Sequence, residues 1–365
     1  MPKIKFGVIG LKGIGKTHVS EIATIENTEL IAVADIDERV GKTLAEKYNV
    51  AYYKNYEDML AMKDLDAVSI CTPHFLHFPM AMKSFEYGKH VLIEKPMAIT
   101  VKEADLMIEE AKKRGLKLGV VYQWRINPVF QKIKEMIDNG VIGAVYRACM
   151  ETCSFRTQVY YARDAWRGKW LTEGGGVLIN QAIHHIDLFW WLIGRPVKVF
   201  GHIGKLYHDI EVEDIASATI IFEHGAHGVI QASTVDPITT VRFEICGEKG
   251  KILSEEGSGQ IMYALFERTL KEYLMDKNIW PKIMYQWNHL EIENRVAGHR
   301  EIIRDFAEAI IRDREPLISG EEGRVSLEIV NAIILSSFEE KAITLPINRE
   351  VYEELIKKKL SGKVQ

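Results

Sequence analysis

The sequence has few cysteines, no excess of positive charge and no long apolar run, and each absence argues against a class of protein. Its four cysteines, at positions 71, 149, 153 and 246, lack zinc-site spacing, so we expect buried thiols in a reducing compartment. The formal net charge of −4 gives no electrostatic basis for nucleic-acid binding. The longest apolar run, at residues 188–193, is far shorter than the ~20 residues of a membrane span. An apolar strand near residue 4 predicts no signal peptide, so we expect a cytoplasmic protein with neither nucleic acid nor membrane as a partner.

The 365-residue length and two patterns of periodicity predict two domains. Apolar runs that read as buried strands alternate with helical segments as far as about residue 121, which indicates a doubly wound parallel sheet of the α/β class. From about residue 145, period-two alternation and short turns favour an α+β domain with an antiparallel sheet. We therefore place the boundary so that the domains cover residues 1–124 and 125–365.

A glycine-rich turn follows the first predicted strand. Gly10, Gly13 and Gly15 lie between this strand and a helical stretch, and Asp35 ends the second strand. Glycines let the backbone approach a pyrophosphate, and the free amides at the helix start hold its charge. Asp35 would accept hydrogen bonds from the adenosine ribose and repel a 2′-phosphate, so the pattern predicts a Rossmann domain that binds NAD in preference to NADP. Lys12 stands at the usual position of the middle glycine, where it would either add charge near the phosphates or be solvated.

Other candidate cofactor residues follow the carboxyl ends of later strands, where parallel sheets gather their ligands. Together with the turn and two residues of an aromatic loop discussed below, they form the predicted cofactor-binding set: Gly10, Lys12, Gly13, Ile14, Gly15, Asp35, Ile36, Thr72, Pro73, His77, Glu94, Lys95, Trp166 and Arg167.

Lys95 is the first predicted catalytic residue. It follows an apolar strand and precedes Pro96, which restricts it to an extended conformation. At the cofactor crevice its ammonium group would hydrogen-bond a substrate hydroxyl and carry its proton as a hydride leaves. The alternative is a solvated surface lysine.

The second predicted catalytic residue is His184, on a helix expected over residues 177–193 after three glycines. Asn180, His184 and Asp187 recur at helical spacing, which places them on one face. An imidazole titrates near neutrality, so His184 suits proton transfer, Asp187 would orient its ring and Asn180 would bind a substrate hydroxyl. The alternative is a hydrogen-bonded core histidine and a solvated aspartate. No third ligand completes a His/Asp metal site, so we predict no metal.

With the glycine turn, the Glu-Lys-Pro motif at residues 94–96 and the glycine-led helix, the chain resembles the glucose–fructose oxidoreductase/inositol dehydrogenase/rhizopine-catabolism (Gfo/Idh/MocA) family over nearly its whole length. The resemblance implies a C-terminal domain with a large, mostly antiparallel open sheet. One face of that sheet would cover the active site and the other would make a homodimer or homotetramer. The family lysine maps onto Lys95 and the family histidine onto His184, whereas the frequent family aspartate is Asn180 here. A cis Lys–Pro peptide is also implied.

The resemblance extends to an aromatic loop at residues 160–170 and to the crossover at residues 122–127. In the loop, Trp166 and Arg167 would pack on the cofactor; the alternative is a loop that packs under the helix. The residues that the resemblance adds to Asn180 and Asp187 as substrate-binding candidates are Tyr161, Arg163, Lys169 and Gln123.

These inferences predict an enzyme that transfers a hydride between nicotinamide and a secondary alcohol or ketone of a sugar, nucleotide-sugar or cyclitol. Two alternatives stay open. One is a glycosidase that uses NAD for transient oxidation and elimination; the other is a non-catalytic dinucleotide-binding sensor. The aromatic segment at residues 280–289 would lie near the substrate or in a subunit contact.

Overall fold

The protein, described by a computed structural model over residues 2–255, 259–292 and 298–361, is built on two sheets. The first has six parallel strands in the order β3-β2-β1-β4-β5-β6. The strands of this sheet are β1 Ile4–Ile9, β2 Thr28–Ala34, β3 Ala51–Tyr53, β4 Ala67–Ile70, β5 His90–Glu94 and β6 Leu118–Val121. The order reverses beside β1, so a crevice opens beyond the carboxyl ends of β1 and β4.

Helices connect these strands and cover the sheet. Strands β4 and β6 are buried at every residue, as expected for a parallel sheet with helices on both faces. The connecting helices are α1 Gly15–Ile22, α2 Glu38–Tyr48, α3 Tyr56–Leu60, α4 His77–Glu86 and α5 Val101–Lys113. A capping box of Thr100 and Glu103 fixes the start of α5, directly after the Glu-Lys-Pro segment.

The second sheet has nine strands in the order β14-β13-β12-β11-β7-β10-β9-β8-β15. Neighbouring strands pair antiparallel except β10 with β7, among the strands that the structure describes. The strands are β7 Val145–Phe155, β8 Pro196–Gly204, β9 Ile215–Phe222, β10 His227–Ser233, β11 Val235–Gly247, β12 Gly250–Glu255, β13 Gln260–Phe266, β14 Tyr285–Glu291 and β15 Ile343–Thr344. The two sheets confirm the predicted fold class.

The remaining helices are α6 Pro128–Asp138, α7 Gln158–Arg163, α8 Ile183–Ile193, α9 Leu270–Leu274, α10 His299–Ile311, α11 Gly320–Glu339 and α12 Arg349–Leu360. Helices α8 and α11 pack together, and α11 also contacts α5 and β8, so it links the two halves of the molecule. No helix within the described ranges is long and apolar enough to cross a membrane.

The chain returns to the first sheet near its C-terminal end. Helix α10 packs on α1, and Phe306 lies 6.3 Å from Phe6 between ring centroids. The Val120 amide donates to the Ile318 carbonyl at 3.0 Å, which extends the edge at β6. The domain boundary after residue 124 stays a prediction. Residues 299–319, although they follow this boundary in the chain, pack against the first sheet and its helices.

A buried ion pair joins the crossover after β6 to helix α8. Arg125 donates two hydrogen bonds of 2.7 Å to Asp187, and both side chains are at most 3 % exposed. Ser326 of α11 donates to the same carboxylate at 2.8 Å, and Glu322 also binds Arg125. The two planar groups match in a bidentate geometry, which holds α8 in a fixed orientation toward the crevice.

We predict that Asp187→Ala lowers the free energy of unfolding by about 3 kcal/mol, because it leaves the Arg125 guanidinium without its main partner in a buried site. Urea denaturation followed by circular dichroism measures this. The control is Glu350→Ala, which removes an exposed ion pair with Lys102 and should change stability by less than about 1 kcal/mol. Equal effects of the two substitutions would contradict the assignment.

Candidate active site

The glycine turn has the geometry that a bound pyrophosphate requires. Gly10 has a φ of 86°, and a Cβ added at Gly15 would lie 1.9 Å from the Gly10 carbonyl oxygen, so both positions need glycine. Gly13 also has a positive φ of 53°, and a Cβ there would meet nothing within 4 Å. The backbone between β1 and α1 is therefore open on one side, and the residues present fit a dinucleotide.

Asp35 lies at the end of β2 beside this turn. Its carboxylate accepts hydrogen bonds from the Leu11 amide at 2.7 Å and the Asp37 amide at 2.8 Å, which hold it in place. Ile36 is 85 % exposed next to it, an apolar surface of the kind that packs on an adenine ring. Lys12 pairs with Asp37 at 3.0 Å and is 67 % exposed, so in this structure its ammonium group lies on the surface.

Lys95 leaves the end of β5 through a cis peptide to Pro96, as the resemblance implied. Its Nζ donates to the backbone carbonyl of Asn180 at 2.7 Å. Asn180 belongs to a π-helical turn, Leu178–Ala182, that leads into α8, and such turns are rare and concentrate at functional sites. Burial lowers the pKa of Lys95 to about 8, so the amine titrates close to physiological pH.

His184 lies one turn further along the same helix. Its side chain is partly buried beside Tyr122, and its Nδ1 has no hydrogen-bond partner among the described residues. Burial and the Lys95 charge together hold the pKa of His184 well below 6.5, so the neutral imidazole predominates at pH 7. The Lys95 ammonium group thus contacts the turn that precedes His184, and its charge acts on the imidazole.

Glu94, the residue before Lys95, is held by two histidines rather than presented to a cofactor. His18 of α1 lies 2.9 Å and His299 of α10 lies 3.4 Å from Oε1, and Ser69 bonds the other nitrogen of His18. Although burial opposes ionisation, these hydrogen bonds keep the pKa of Glu94 well below its ordinary value. The nearest nitrogen or oxygen atoms of His18, Glu94 and His299 lie within 4.8 Å of one another. A metal ion could also be held at this spacing, but the hydrogen bonds account for the contacts.

His77 also has a different role from the predicted one. Its two ring nitrogens lie 2.7 Å from the Pro96 carbonyl and 2.8 Å from the Thr72 carbonyl, and the side chain is fully buried. It therefore joins the loops after β4 and β5 instead of contacting a cofactor. Thr72 and Pro73 lie in the first of these loops, at the crevice.

The aromatic loop reaches this edge through Trp166. Its ring lies 4.7 Å from His74, and His74 Nδ1 bonds the Glu173 carbonyl at 2.9 Å. Arg167 stacks on Trp166 at 4.4 Å but directs its guanidinium group to Tyr160 and Asp164, on the substrate side. The loop thus borders the crevice. Of Trp166 and Arg167, only Trp166 contacts the loop that follows β4 of the first sheet.

Four predicted substrate ligands are placed elsewhere. The Asp187 carboxylate is occupied by Arg125 and does not orient His184, because the π-helical turn and the ion pair set the direction of the helix. The Tyr161 hydroxyl is buried against Thr234 at 3.0 Å. Arg163 pairs with Asp164 and is 69 % exposed, and Lys169 is exposed. Gln123 differs: its Oε1 is buried without a partner among the described residues, as a ligand-facing amide would be.

Tyr160 and Glu173, which were not predicted, lie beside Asn180. The Tyr160 hydroxyl contacts Arg167, Gln181 and Asn180, and the Glu173 carboxylate accepts from the Asn180 side chain. The sequence prediction named Tyr161, whereas the hydroxyl beside Asn180 is that of Tyr160, because the direction of a six-residue helix depends on tertiary packing. Glu173 stands directly before the three glycines, and an acid beside a close-packed glycine run was the available signal.

The three glycines before the π-helical turn are closely packed. A Cβ on Gly176 would lie 1.9 Å from the Glu213 carbonyl oxygen, and one on Gly174 would lie 2.4 Å from Ile99. They allow the π-helical turn to pack against the segment before β9 and against the loop after Pro96. Close packing, rather than mobility, explains the glycines.

Comparison with known proteins identifies the family of both domains. Residues 4–122 match the oxidoreductase family with an NAD-binding Rossmann fold, and residues 130–253 match the GFO/IDH/MocA C-terminal domain. The chain belongs to the GFO/IDH/MocA family. This confirms the predicted family and the prediction of an oxidoreductase with a dinucleotide-binding domain.

Relatives of known activity cover most of the chain. D-glucoside 3-dehydrogenase of Escherichia coli is 31 % identical over 67 % of this chain and 75 % of its own length. Myo-inositol 2-dehydrogenase of Thermotoga maritima is 26 % identical over 94 % of this chain and 98 % of its own. The WlbA dehydrogenase of Bordetella pertussis, solved with NADH and UDP-GlcNAcA, superimposes with a TM-score of 0.81 at 29 % identity over 95 % of this chain and 100 % of its own. The relatives of this family member thus act on sugars and cyclitols or bind a nucleotide-sugar.

Proposed function

We propose that this protein is an NAD-dependent dehydrogenase that oxidises a secondary alcohol of a sugar, nucleotide-sugar or cyclitol. One observation supports this most directly: the Lys95 ammonium group, at the end of β5, binds the carbonyl of Asn180, four residues before His184, and its charge acts on the His184 imidazole. A polyol hydroxyl placed between them would face both a hydrogen-bond donor and a neutral base.

The protonation states assign the roles. Lys95, with a pKa of about 8, is mostly an ammonium group at neutral pH and donates to the substrate oxygen. His184 is neutral and accepts the hydroxyl proton at a ring nitrogen. Bound NAD⁺ supplies the hydride acceptor, so the alcohol carbon loses a hydride and its oxygen loses a proton. The products are a ketone, NADH and one proton, which balances the reaction.

The cofactor is proposed to be NAD rather than NADP. The Asp35 carboxylate keeps unused acceptor sites beyond the two backbone amides it binds, and these suit the two ribose hydroxyls. A 2′-phosphate there would meet the negative charges of Asp35 and the nearby Asp37. Arg39 and Lys12 are close, but Lys12 is already paired with Asp37.

We also propose a homodimer or homotetramer formed through the open face of the nine-stranded sheet. Helices α8 and α11 cover the other face, whereas Phe155, Phe200 and Val229 of β7, β8 and β10 are each more than 40 % exposed. Exposed apolar side chains on a sheet face favour contact with another protein surface, here the same face of a second copy of the chain. Light scattering on the purified protein distinguishes one, two and four chains, and a monomer at all concentrations would end this proposal.

The first test is turnover by purified variants. Lys95→Ala and His184→Ala should each lower kcat for polyol oxidation by at least about 100-fold, while NADH binding persists, because the first removes the charged donor to the substrate oxygen and the second removes the proton acceptor. A screen of inositols, methyl glucosides and nucleotide-sugars for NADH formation supplies the substrate. Lys112→Ala and His224→Ala, which remove exposed side chains of the same types, are the controls and should retain full activity.

Two results would count against the proposal. Unchanged turnover in both active-site variants would remove the assigned roles. Cleavage of a glycoside without net NADH formation would instead favour the glycosidase, and NAD binding without any turnover would favour a sensor.

The second test concerns the cofactor. Asp35→Asn keeps an acceptor for the Leu11 amide but removes the charge, so we expect the preference in kcat/KM for NAD⁺ over NADP⁺ to fall at least about tenfold. Asp37→Asn is the matched control, since it removes a neighbouring charge that is already paired with Lys12 at 3.0 Å, and it should change the ratio less. A preference that Asp35→Asn leaves intact would show that other groups select the cofactor.

A further inference from the structure

The polar groups around Asn180 have fixed directions that define how a second part of the substrate is bound. Asn180 Nδ2 donates to Glu173 Oε1, and Glu173 Oε2 accepts from the Gly168 amide. A carboxylate only accepts hydrogen bonds, so the Asn180 amide must turn its NH₂ group to Glu173. Its Oδ1, which has no partner among the described residues, is left as an acceptor on the residue whose backbone carbonyl binds Lys95.

The Tyr160 hydroxyl, in contrast to Asn180 Oδ1, is left as a hydrogen-bond donor. Its hydroxyl oxygen accepts from Arg167 Nη1, which can only donate, and from Gln181 Nε2 at 3.0 Å. Asn180 Nδ2 is a third donor at 3.5 Å. With the Gln181 amide in the orientation it has here, the lone pairs of the phenol oxygen are occupied and the phenol offers its own proton. No carbonyl or carboxylate in the described ranges lies within hydrogen-bond distance to receive it.

The ring of Tyr160 is held as firmly as its hydroxyl group. The Arg167 guanidinium lies 4.4 Å from its centroid and the Arg156 guanidinium 5.4 Å, and Tyr161 packs on it edge to face at 5.2 Å. The phenol oxygen is 3.5 Å from Asn180 Nδ2, so the two groups are neighbours. Asn180 in turn carries the carbonyl that binds Lys95 at 2.7 Å.

From this arrangement we infer that Tyr160 and Asn180 form a donor–acceptor pair that binds a second hydroxyl of the polyol, beside the one that is oxidised. Tyr160 donates to that hydroxyl and Asn180 Oδ1 accepts from it. Arg167 and Glu173 are positioning residues, because they set the polarity of the pair without contacting the substrate. The inference rests on the proposed function for the identity of the ligand as a polyol.

The pair predicts selectivity for vicinal diols over isolated alcohols. A bound substrate that lacks the second hydroxyl would cover this donor and this acceptor without pairing them, which costs more than the bond itself contributes. A ring with adjacent hydroxyls, such as an inositol or a hexopyranoside, satisfies both groups at once.

The experiment combines variants with deoxy substrates. Tyr160→Phe removes the donor but keeps the stacked ring, and we expect kcat/KM for myo-inositol or methyl β-D-glucopyranoside to fall about tenfold, mainly through KM. For the one deoxy analogue that lacks the hydroxyl bound by the pair, wild type and Tyr160→Phe should have equal kcat/KM. Tyr161→Phe, whose hydroxyl bonds Thr234 instead, is the matched control and should resemble wild type with every substrate.

Glu173→Gln gives a second, independent variant. Its amide can donate to Asn180 Oδ1, so the Asn180 side chain can turn and present NH₂ to the substrate; a loss of about tenfold or more in kcat/KM is expected. Denaturation midpoints of both variants monitor folding. A Tyr160→Phe loss that is the same for the parent polyol and for all its deoxy analogues would overturn the inference, as would no loss at all.

Polyol binding to the enzyme–NADH complex, followed by NADH fluorescence, separates this inference from the proposed function. Polyols that bind more weakly to Tyr160→Phe than to Tyr161→Phe, but are never oxidised, would retain the pair and remove the dehydrogenase. Oxidation at equal rates in both variants, with equal binding, would retain the dehydrogenase and remove the pair. No binding and no oxidation in wild type would remove both.

Discussion

The hydrogen bond from Lys95 Nζ to the Asn180 carbonyl is the contact on which the site depends. Lys95 comes from the parallel sheet and Asn180 from the helix that supports the antiparallel sheet, so this bond brings together groups supplied by both halves of the chain. It depends on the π-helical turn at residues 178–182 and on the glycines that let this turn pack closely. The Arg125–Asp187 pair then holds the same helix from its far side.

Burial gives this contact its chemical value. In water the pKa values of an amine and an imidazole are more than three units apart, and neither group changes the pKa of the other. Here desolvation lowers the pKa of both groups, and the Lys95 charge lowers that of His184 further. The result is a cation beside a neutral base at the same pH. Glu94, kept ionised by two histidines behind the strand end, partly offsets the cost of burying the ammonium group.

Sequence reasoning found the features that depend on local pattern. The glycine turn, Asp35, Lys95 and His184 all lie where strand ends and a helix start place them, because spacing along a strand or helix is a local property. It did not find the features that depend on tertiary direction. The π-helical turn breaks the single helical face assumed for Asn180, His184 and Asp187, and helix α7 turns Tyr160 rather than Tyr161 toward Asn180. His77 and Glu94 were named for their position at the crevice, yet both are used internally, which only the fold reveals.

The pH dependence of kcat/KM for polyol oxidation tests the central claim most directly. The account predicts a rate that falls above a pH of about 8, as Lys95 loses its proton, and that holds steady down to pH 6.5, where His184 is still neutral. In Lys95→Arg the alkaline limb should move beyond the accessible range, whatever the absolute rate, because a guanidinium group stays charged. A wild-type rate that instead rises through pH 8 to a plateau would mean that the neutral amine is the active form, and would contradict the assignment of a cationic lysine beside a neutral histidine.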